Sequence, residues 1–333
     1  MDVLAVTHTQ EPSAAWVAEA IAKRGHRLIR LDTDLFPNAP MVRRTQRGTE
    51  LRSAIQVDGL WVPLDASTSI WWRRVNLSSK IDPSMGQDAH AAAVEESRIT
   101  LRGLASAHTG LVVDRPHHIR LVGDKALQLG IAAQVGLDVL PTLVTNDPES
   151  ARAFFHEHNG QVITKMEHAF ALKMEDGTGA VHTSVVKEED LDALDGLTAC
   201  PMIFQPRVHT RREYRITIVG QQVMVGALDY KSGEYGTDWR LASLRDKGVV
   251  HAWKKASLPD AVCQAMLRLM DRLGLNYGAA DILEDEAGRL WFLEVNPAGE
   301  WAWMNHAGLP IIDALADLLT GAVPARDCVV PRV

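Results

Sequence analysis

Three oxygen-bearing side chains, Asp281, Glu294 and Asn296, fall within the segment AADILEDEAGRLWFLEVNPAGEW, and their spacing is the most informative chemistry in the chain. If the runs AADILED and RLWFLEVN are strands joined at Glu286-Ala287-Gly288, Glu294 and Asn296 share one face because they are two apart, and Asp281 can lie across from them. Hard oxygen donors with room left for water and phosphate oxygens are what magnesium bound to a nucleotide requires. The plainer alternative is a polar residue on a half-exposed strand followed by an Asn-Pro turn. Cations lie upstream. Lys125 opens a helix and Lys165 follows the apolar strand QVIT, and each either offers a point charge to phosphate oxygens or is an ordinary solvated lysine. Arg215, between Tyr214 and Ile216 in a strand, needs a partner if it faces inward, either an ion pair with Glu213 or another carboxylate, or a phosphate.

The elements that must position these groups follow from periodicity and punctuation. Val3 to Thr7 reads as a strand, Trp16, Val17, Ala20 and Ile21 as a helix stopped at Gly25, and Leu28 to Leu31 as a second strand. The intervening helix supplies the crossover that parallel strands require, so the opening predicts a small α/β lobe. The turn HTQEPS contains no glycine, which excludes a dinucleotide fingerprint there. A second unit starts near Gly123, with Asp124 capping a helix closed by Gly136 and followed by the strand-like VLPTLVT. Asp147-Pro148 starts another helix, with Phe154 and Phe155 inward and Gly160 at its end. QVITKM and AFALKM read as strands, and EDGTGA as a glycine-containing loop suited to covering phosphates. The run from Lys187 to Asp192 reads as a short acidic helix, in the plainer case a solvated face. YRITIVG and QVMVGALDY form a hairpin about Gly220, Asp260 to Leu273 a helix ended by Gly274, and Ile311 to Leu319 a last helix on the same lobe.

Composition bounds the class. The 333 residues exceed a typical single domain, and the formal net charge of −7 gives no global reason to expect nucleic acid or an anionic membrane as partner. Cys200, Cys263 and Cys328 form no metal-spaced pair and suggest a reducing, cytoplasmic setting. The N-terminus lacks the order of a signal peptide, and no segment approaches 18 uninterrupted apolar residues.

The order Lys125, Lys165, FQPRV, EYRITIVG, Asp281 and LEVNP resembles the ATP-grasp superfamily from about Leu121 to Leu319. With SIWWRR at Ser69 to Arg74 and VNPAGEW at Val295 to Trp301, the chain is similar to the maturases of microviridin-type peptides, also called graspetide synthetases. The resemblance implies mixed α/β and α+β architecture: an N-terminal pre-ATP-grasp domain over 1–120, a central lobe over 121–200 and a C-terminal catalytic lobe over 201–325. It implies ATP and Mg2+ as cofactors, a precursor peptide with leader and core as partner, and a homodimer. Lys125 and Lys165 would bind phosphates, and Gln205 with the backbone at Arg207-Val208 would border the adenine. Arg215 would hold the γ-phosphate and acyl phosphate, and Glu213 would serve the ribose or acceptor side, with Arg212 competing for a phosphate role. Asp281, Glu294 and Asn296 would ligate magnesium. Arg73 and Arg74 would bind a peptide carboxylate or ion-pair on the surface, and Glu189, Asp190 and Asp192 would receive an arginine of the leader.

The chemistry implied is ATP-dependent crosslinking of Asp or Glu side chains to Ser, Thr or Lys within a peptide. Attack of a carboxylate on the γ-phosphate brings two anions together, so metal and arginine must offset the repulsion. Two rivals remain at this stage. One is an intermolecular ligase adding free amino acids to a carboxylate, and the other is an ATP-binding regulatory protein without turnover.

Overall fold

The parallel opening expected from the sequence forms the edge of a four-stranded sheet. In the computed structural model, which describes residues 1–77, 80–167, 171–174, 177–180, 183–230 and 247–326, β1 (Asp2–Thr7), α1 (Ser13–Lys23) and β2 (Arg27–Asp32) form the predicted strand-helix-strand unit. A separate antiparallel sheet follows, made of β3 (Val42–Arg47), β4 (Glu50–Val57) and β5 (Leu60–Leu64). The chain then returns as β6 (Ser69–Trp72), crosses by α2 (Gln87–Ser106) and ends the lobe at β7 (Val112–Val113). The parallel order is β2-β1-β6-β7.

Next come α3 (Pro116–Val122) and α4 (Lys125–Gln134), whose first turn is capped by the Asp124 carboxylate accepting from Leu127 N. Of VLPTLVT only β8 (Leu143–Thr145) is strand, and α5 (Pro148–Glu157) follows, capped by Asp147 on the N–H groups of Glu149 and Ser150. Phe155 is buried and Phe154 partly so. The central strands are β9 (Val162–Lys165), β10 (Ala171–Met174), β11 (Gly177–Ala180), β12 (Ser184–Val185) and β13 (Met202–Pro206), with a 3-10 helix over Glu188–Ala199 before the last. The segment EDGTGA is not the expected loop: Gly177–Ala180 pairs antiparallel with β10 as a strand, while residues 175 and 176 lie outside the described residues.

The C-terminal sheet consists of β14 (Thr210–Val219), β15 (Gln222–Asp229), the short β16 (Lys254–Lys255), β17 (Tyr277–Asp285) and β18 (Leu290–Asn296), ordered β16-β15-β14-β17-β18 and antiparallel throughout. Its helices are α6 (Asp260–Leu273), which ends at Gly274 with φ +67°, and α7 (Ile311–Leu319). The β14-β15 hairpin and the β17-β18 pairing are as the sequence predicts.

The cores explain how these pieces are joined. One face of the five-stranded sheet shares a single apolar cluster with α1, β1, α7 and β6: Val17, Ile21 and Trp71 pack with Tyr277, Ala279, Trp301 and Leu315. The opposite face, with Tyr214, Ile216 and Phe292, buries Ile131 of α4 and Met266 and Leu269 of α6. The α4 helix thus sits on the C-terminal sheet, while β13, placed by the expected division at the head of the C-terminal lobe, pairs with β9 and β8 in the central one. The central lobe has its own small core around Phe155, Val162, Leu191 and Phe204.

Candidate active site

Register brings the chemistry together. Arg215 of β14 pairs with Asp281 of β17, and Asp281 with Glu294 of β18, so three charged residues form a row across adjacent strands. Between Asp281 and Ile282 the register shifts, leaving Leu293 as an extra residue on β18. The bulge keeps the apolar Phe292 on the inner face opposite Ile282 and still turns Glu294 toward Asp281. Arg215 Nη1 donates to Asp281 Oδ1 at 2.8 Å and Nη2 to the Glu300 carbonyl at 2.8 Å, with both side chains buried. At the sheet edge Lys125 Nζ, on the first turn of α4, lies 2.9 Å from Glu294 Oε2. Asn296, opposite Ala279 on the same face, is exposed, and its Oδ1 accepts from Ala298 N at 2.9 Å.

A cleft adjoins this row between the central and C-terminal sheets, and Lys165, Gln205, Arg207, Val208 and Glu213 all line it, along with Leu293. The sequence-derived residues thus meet at two adjoining places. Gln205 is almost wholly buried; its Nε2 donates to Thr142 Oγ1 at 2.8 Å, while its Oε1 has no hydrogen-bond partner among the described residues. A buried acceptor left unmade is costly, and an amino group entering the cleft would satisfy it. Arg207 N is engaged with the Gln161 carbonyl at 2.8 Å, which holds the strand-to-loop exit at the cleft wall. Glu213, buried, accepts from Tyr230 Oη at 2.7 Å. Because strand residues alternate, Arg212 points to the other face, toward Tyr214 Oη at 3.4 Å and the carboxylate of Asp229. Apolar walls, cationic side chains and one orphaned acceptor suit a nucleotide, and beside it Asp281, Glu294 and Asn296 offer only oxygen donors, as a phosphate-bound magnesium requires.

Residues 2–120 match the family described as the MvdD pre-ATP grasp domain. Over nearly its whole length the chain is similar to a RiPP-associated ATP-grasp ligase of Chryseobacterium gregarium, solved in complex with ADP and a leader and core peptide, with 30% identity, 99% of both chains covered and a TM-score of 0.91. The chain belongs to the RiPP-associated ATP-grasp ligases. Macrocyclase MdnC of Microcystis aeruginosa MRC, solved with precursor peptide MdnA, is 32% identical over 97% of this chain and 100% of that one, with a TM-score of 0.86. Macrocyclase MdnB of the same organism is also 32% identical, over 96% and 98% of the two chains, with a TM-score of 0.75. No curated protein matches the chain. Among the described residues no helix is long and apolar enough to cross a membrane.

In this ATP-grasp ligase the paired arginines after β6 are placed differently from each other. Arg73 is 2% exposed and donates through Nη1 to the carbonyls of Ala298 at 3.0 Å and Gly299 at 2.9 Å, with Glu11 and Glu300 beside it. It ties the N-terminal lobe to the loop after β18. Arg74 remains partly exposed, 2.8 Å from Glu300 Oε2, on a backbone with φ +47°, a left-handed conformation uncommon for a residue other than glycine. Glu189, Asp190 and Asp192 stand exposed on the 3-10 helix of the central lobe, apart from the charged row; Glu189 meets Lys187 Nζ at 2.9 Å and Asp190 accepts from Lys187 N at 2.8 Å.

Three supporting residues were missed in the sequence. Glu300 accepts from the N–H groups of Trp301 at 3.0 Å and Ala302 at 2.8 Å while facing Arg73 and Arg74; burial works to raise its pKa, but the Ala302 N–H and the two guanidiniums outweigh it and hold the carboxyl below its ordinary range. Tyr277 donates to the Gly299 carbonyl at 2.7 Å, and full burial pushes its hydroxyl up to about 12. Gly299 is needed because a Cβ there would stand 2.8 Å from Arg215 Nη2. The motif NPAGEW carried the only available signal, a glycine and an acid closely following a candidate metal ligand.

Proposed function

We propose that this ligase activates Asp or Glu side chains of a ribosomal precursor peptide as acyl phosphates and joins them to Ser or Thr as esters, or to Lys as amides. The observation that carries the reading is the row of Arg215, Asp281 and Glu294 with Lys125 at its end, set against a cleft holding Lys165 and the unsatisfied Gln205 oxygen. In this assignment Gln205 and the backbone at Arg207-Val208 border the adenine, Lys125 and Lys165 hold phosphates, and Glu213 serves the ribose or acceptor side. Arg212, turned to the opposite face of β14, is left to structure. Asp281, Glu294 and Asn296 hold magnesium, which neutralises phosphate charge when bound.

A substrate carboxylate oxygen forms a bond to the γ-phosphorus as the bond to ADP breaks. Arg215, already fixed by Asp281 and the Glu300 carbonyl, is oriented in advance toward the charge that develops. The hydroxyl or amine of the acceptor then attacks the acyl carbon, phosphate departs and the acceptor proton passes to solvent. The match of residues 2–120 supports reading 1–120 as the pre-ATP-grasp domain, and the pairing of β13 favours ending the central lobe after β13 rather than at 200, with the C-terminal lobe running on to 325. The relatives solved with a leader and core peptide and with a precursor peptide support a precursor peptide as partner, with Glu189, Asp190 and Asp192 receiving a leader arginine and Arg74 a carboxylate. The unpaired thiols of Cys200 and Cys263 suit a cytoplasmic enzyme, which we assign as a homodimer.

The test is the intact mass of a Thr- and Glu-rich peptide encoded beside the gene, after incubation with the purified protein, ATP and magnesium. Loss of one water per bond is expected, with the joined carboxylates protected from chemical labelling. A gain of amino-acid mass would instead indicate the intermolecular ligase, and ATP binding without any mass change would count against crosslinking and favour the intermolecular ligase or the regulatory protein.

A further inference from the structure

A second cavity borders the loop that carries Gly299 and Glu300. It opens between the end of β6, α2 and α3, with Ala298 in its wall and Trp72 and Ile119 among its apolar lining. Four arginines line it, Arg74, Arg98, Arg102 and Arg120, and among the described residues no carboxylate does. In a chain of net charge −7 such a concentration of one sign runs against the composition. Two of the four are neutralised: Arg74 by Glu300 at 2.8 Å, and Arg98 by Glu95 one helical turn earlier. Arg102 and Arg120 are exposed and have no ion-pair or hydrogen-bond partner among the described residues. Arg98 and Arg102 are four apart on α2 and therefore lie on one face, where like charges disfavour each other unless an anion intervenes. Arg120, in the last turn of α3, completes the set from a different element.

We propose that this cavity is a docking subsite for an acidic stretch of the substrate peptide, whose carboxylates are bound by Arg102 and Arg120, with Arg74 and Arg98, without being activated. The proposal rests on the peptide-ligase reading and extends it from the reacting carboxylate to those left unreacted. Guanidinium forks are suited to carboxylates in bidentate geometry, and the apolar floor accommodates the methylenes of a glutamate. Position adds the second argument. The carbonyl of Ala298 accepts from Arg73 at 3.0 Å and from Arg74 Nε at 3.4 Å, and Ala298 is two residues beyond Asn296, so a peptide held here lies against the loop that follows the candidate magnesium ligands. Binding energy from such unreacting groups serves to place the reacting one.

The experiment uses the full chain and fluorescein-labelled hexaglutamate, with hexaglutamine as the neutral counterpart, read by anisotropy at low and moderate salt. Hexaglutamate is expected to bind, to weaken with salt, and to lose at least tenfold in affinity in R102E/R120E, while R43E/R47E on the separate β3-β4-β5 sheet stays within about twofold of the unsubstituted protein. The milder R102Q/R120Q, with a thermal melt, covers the case in which charge reversal disturbs α2. Equal binding of hexaglutamine, unchanged affinity in R102E/R120E, or an equal loss in R43E/R47E would overturn the proposal. So would tighter binding of a labelled oligothymidylate with the same dependence on Arg102 and Arg120, which would mark a nucleic-acid site. Hexaglutamate contains no hydroxyl acceptor, so this readout is independent of whether crosslinking occurs.

Discussion

Arg215 Nη1 donates to Asp281 Oδ1 across neighbouring strands at 2.8 Å, and both side chains are buried. Removing one member leaves the other charged and uncompensated, a situation that costs about 3–5 kcal/mol in comparable buried pairs. Asp281→Asn is expected to lower the urea midpoint accordingly and to abolish product formation. The double substitution R215M/D281L is expected to recover most of that stability and none of the activity. Urea unfolding and ADP release, measured on the same preparations, separate the two roles.

Lys125 meets Glu294 at 2.9 Å where α4 approaches the edge strand, with both side chains still partly solvated. Such a pair contributes at most about 1 kcal/mol to the fold. Lys125→Met is therefore expected to leave the melting temperature within a few degrees while raising the KM for ATP about tenfold. A large loss of stability with an unchanged KM would assign the lysine to the scaffold.

At Gly299 an added Cβ would stand 2.5 Å from the Cβ of Ala279 and 2.8 Å from Arg215 Nη2. Gly299→Ala must displace one of them, at a cost of about 1–3 kcal/mol for overpacking. Arg215 is the more mobile neighbour, so kcat is expected to fall much more than affinity for the nucleotide, as single-turnover kinetics alongside nucleotide titration would show.

Glu300 titrates below its ordinary 4.5, because the Ala302 N–H, Arg73 and Arg74 outweigh the opposing effect of burial. The unfolded chain takes up the proton first as pH falls, so the stability Glu300 supplies is complete above about pH 4.5 and is lost as pH drops through the folded value. Glu300→Gln is expected to flatten this acid limb. Unfolding free energies measured between about pH 6 and pH 3 check it, and an unchanged slope would exclude Glu300 as its source.

Local signals in the sequence were legible wherever the cause was local. Asp124 and Asp147 cap the helices they precede, Gly274 ends α6 in the left-handed conformation, and the two-residue spacing of Glu294 and Asn296 places both on Asp281's face. What was hidden depended on partners far along the chain. Arg73 read as a candidate peptide ligand, yet it is spent on carbonyls more than two hundred residues away. The bulge at Leu293 had no signature, since it arises from fitting Phe292 into the core and Glu294 into the row together. The arginine cavity escaped because its members come from three elements that sequence spacing does not connect. The glycines of EDGTGA favour a loop, and pairing with β10 overrides that local preference at Gly177–Ala180.

Among the described residues, the apolar cluster joining α1, β1 and β6 to α7 and the C-terminal sheet contains nothing from β8, β9, β12 or β13, and α5, β9 and β13 share a small core of their own. Mechanically, the molecule is therefore an anvil of two fused lobes and a lighter hammer. Among the described residues, displacing the hammer would rupture no shared apolar core, so opening the nucleotide cleft should demand far less work than separating the lobe that bears Arg73 from the loop it grips.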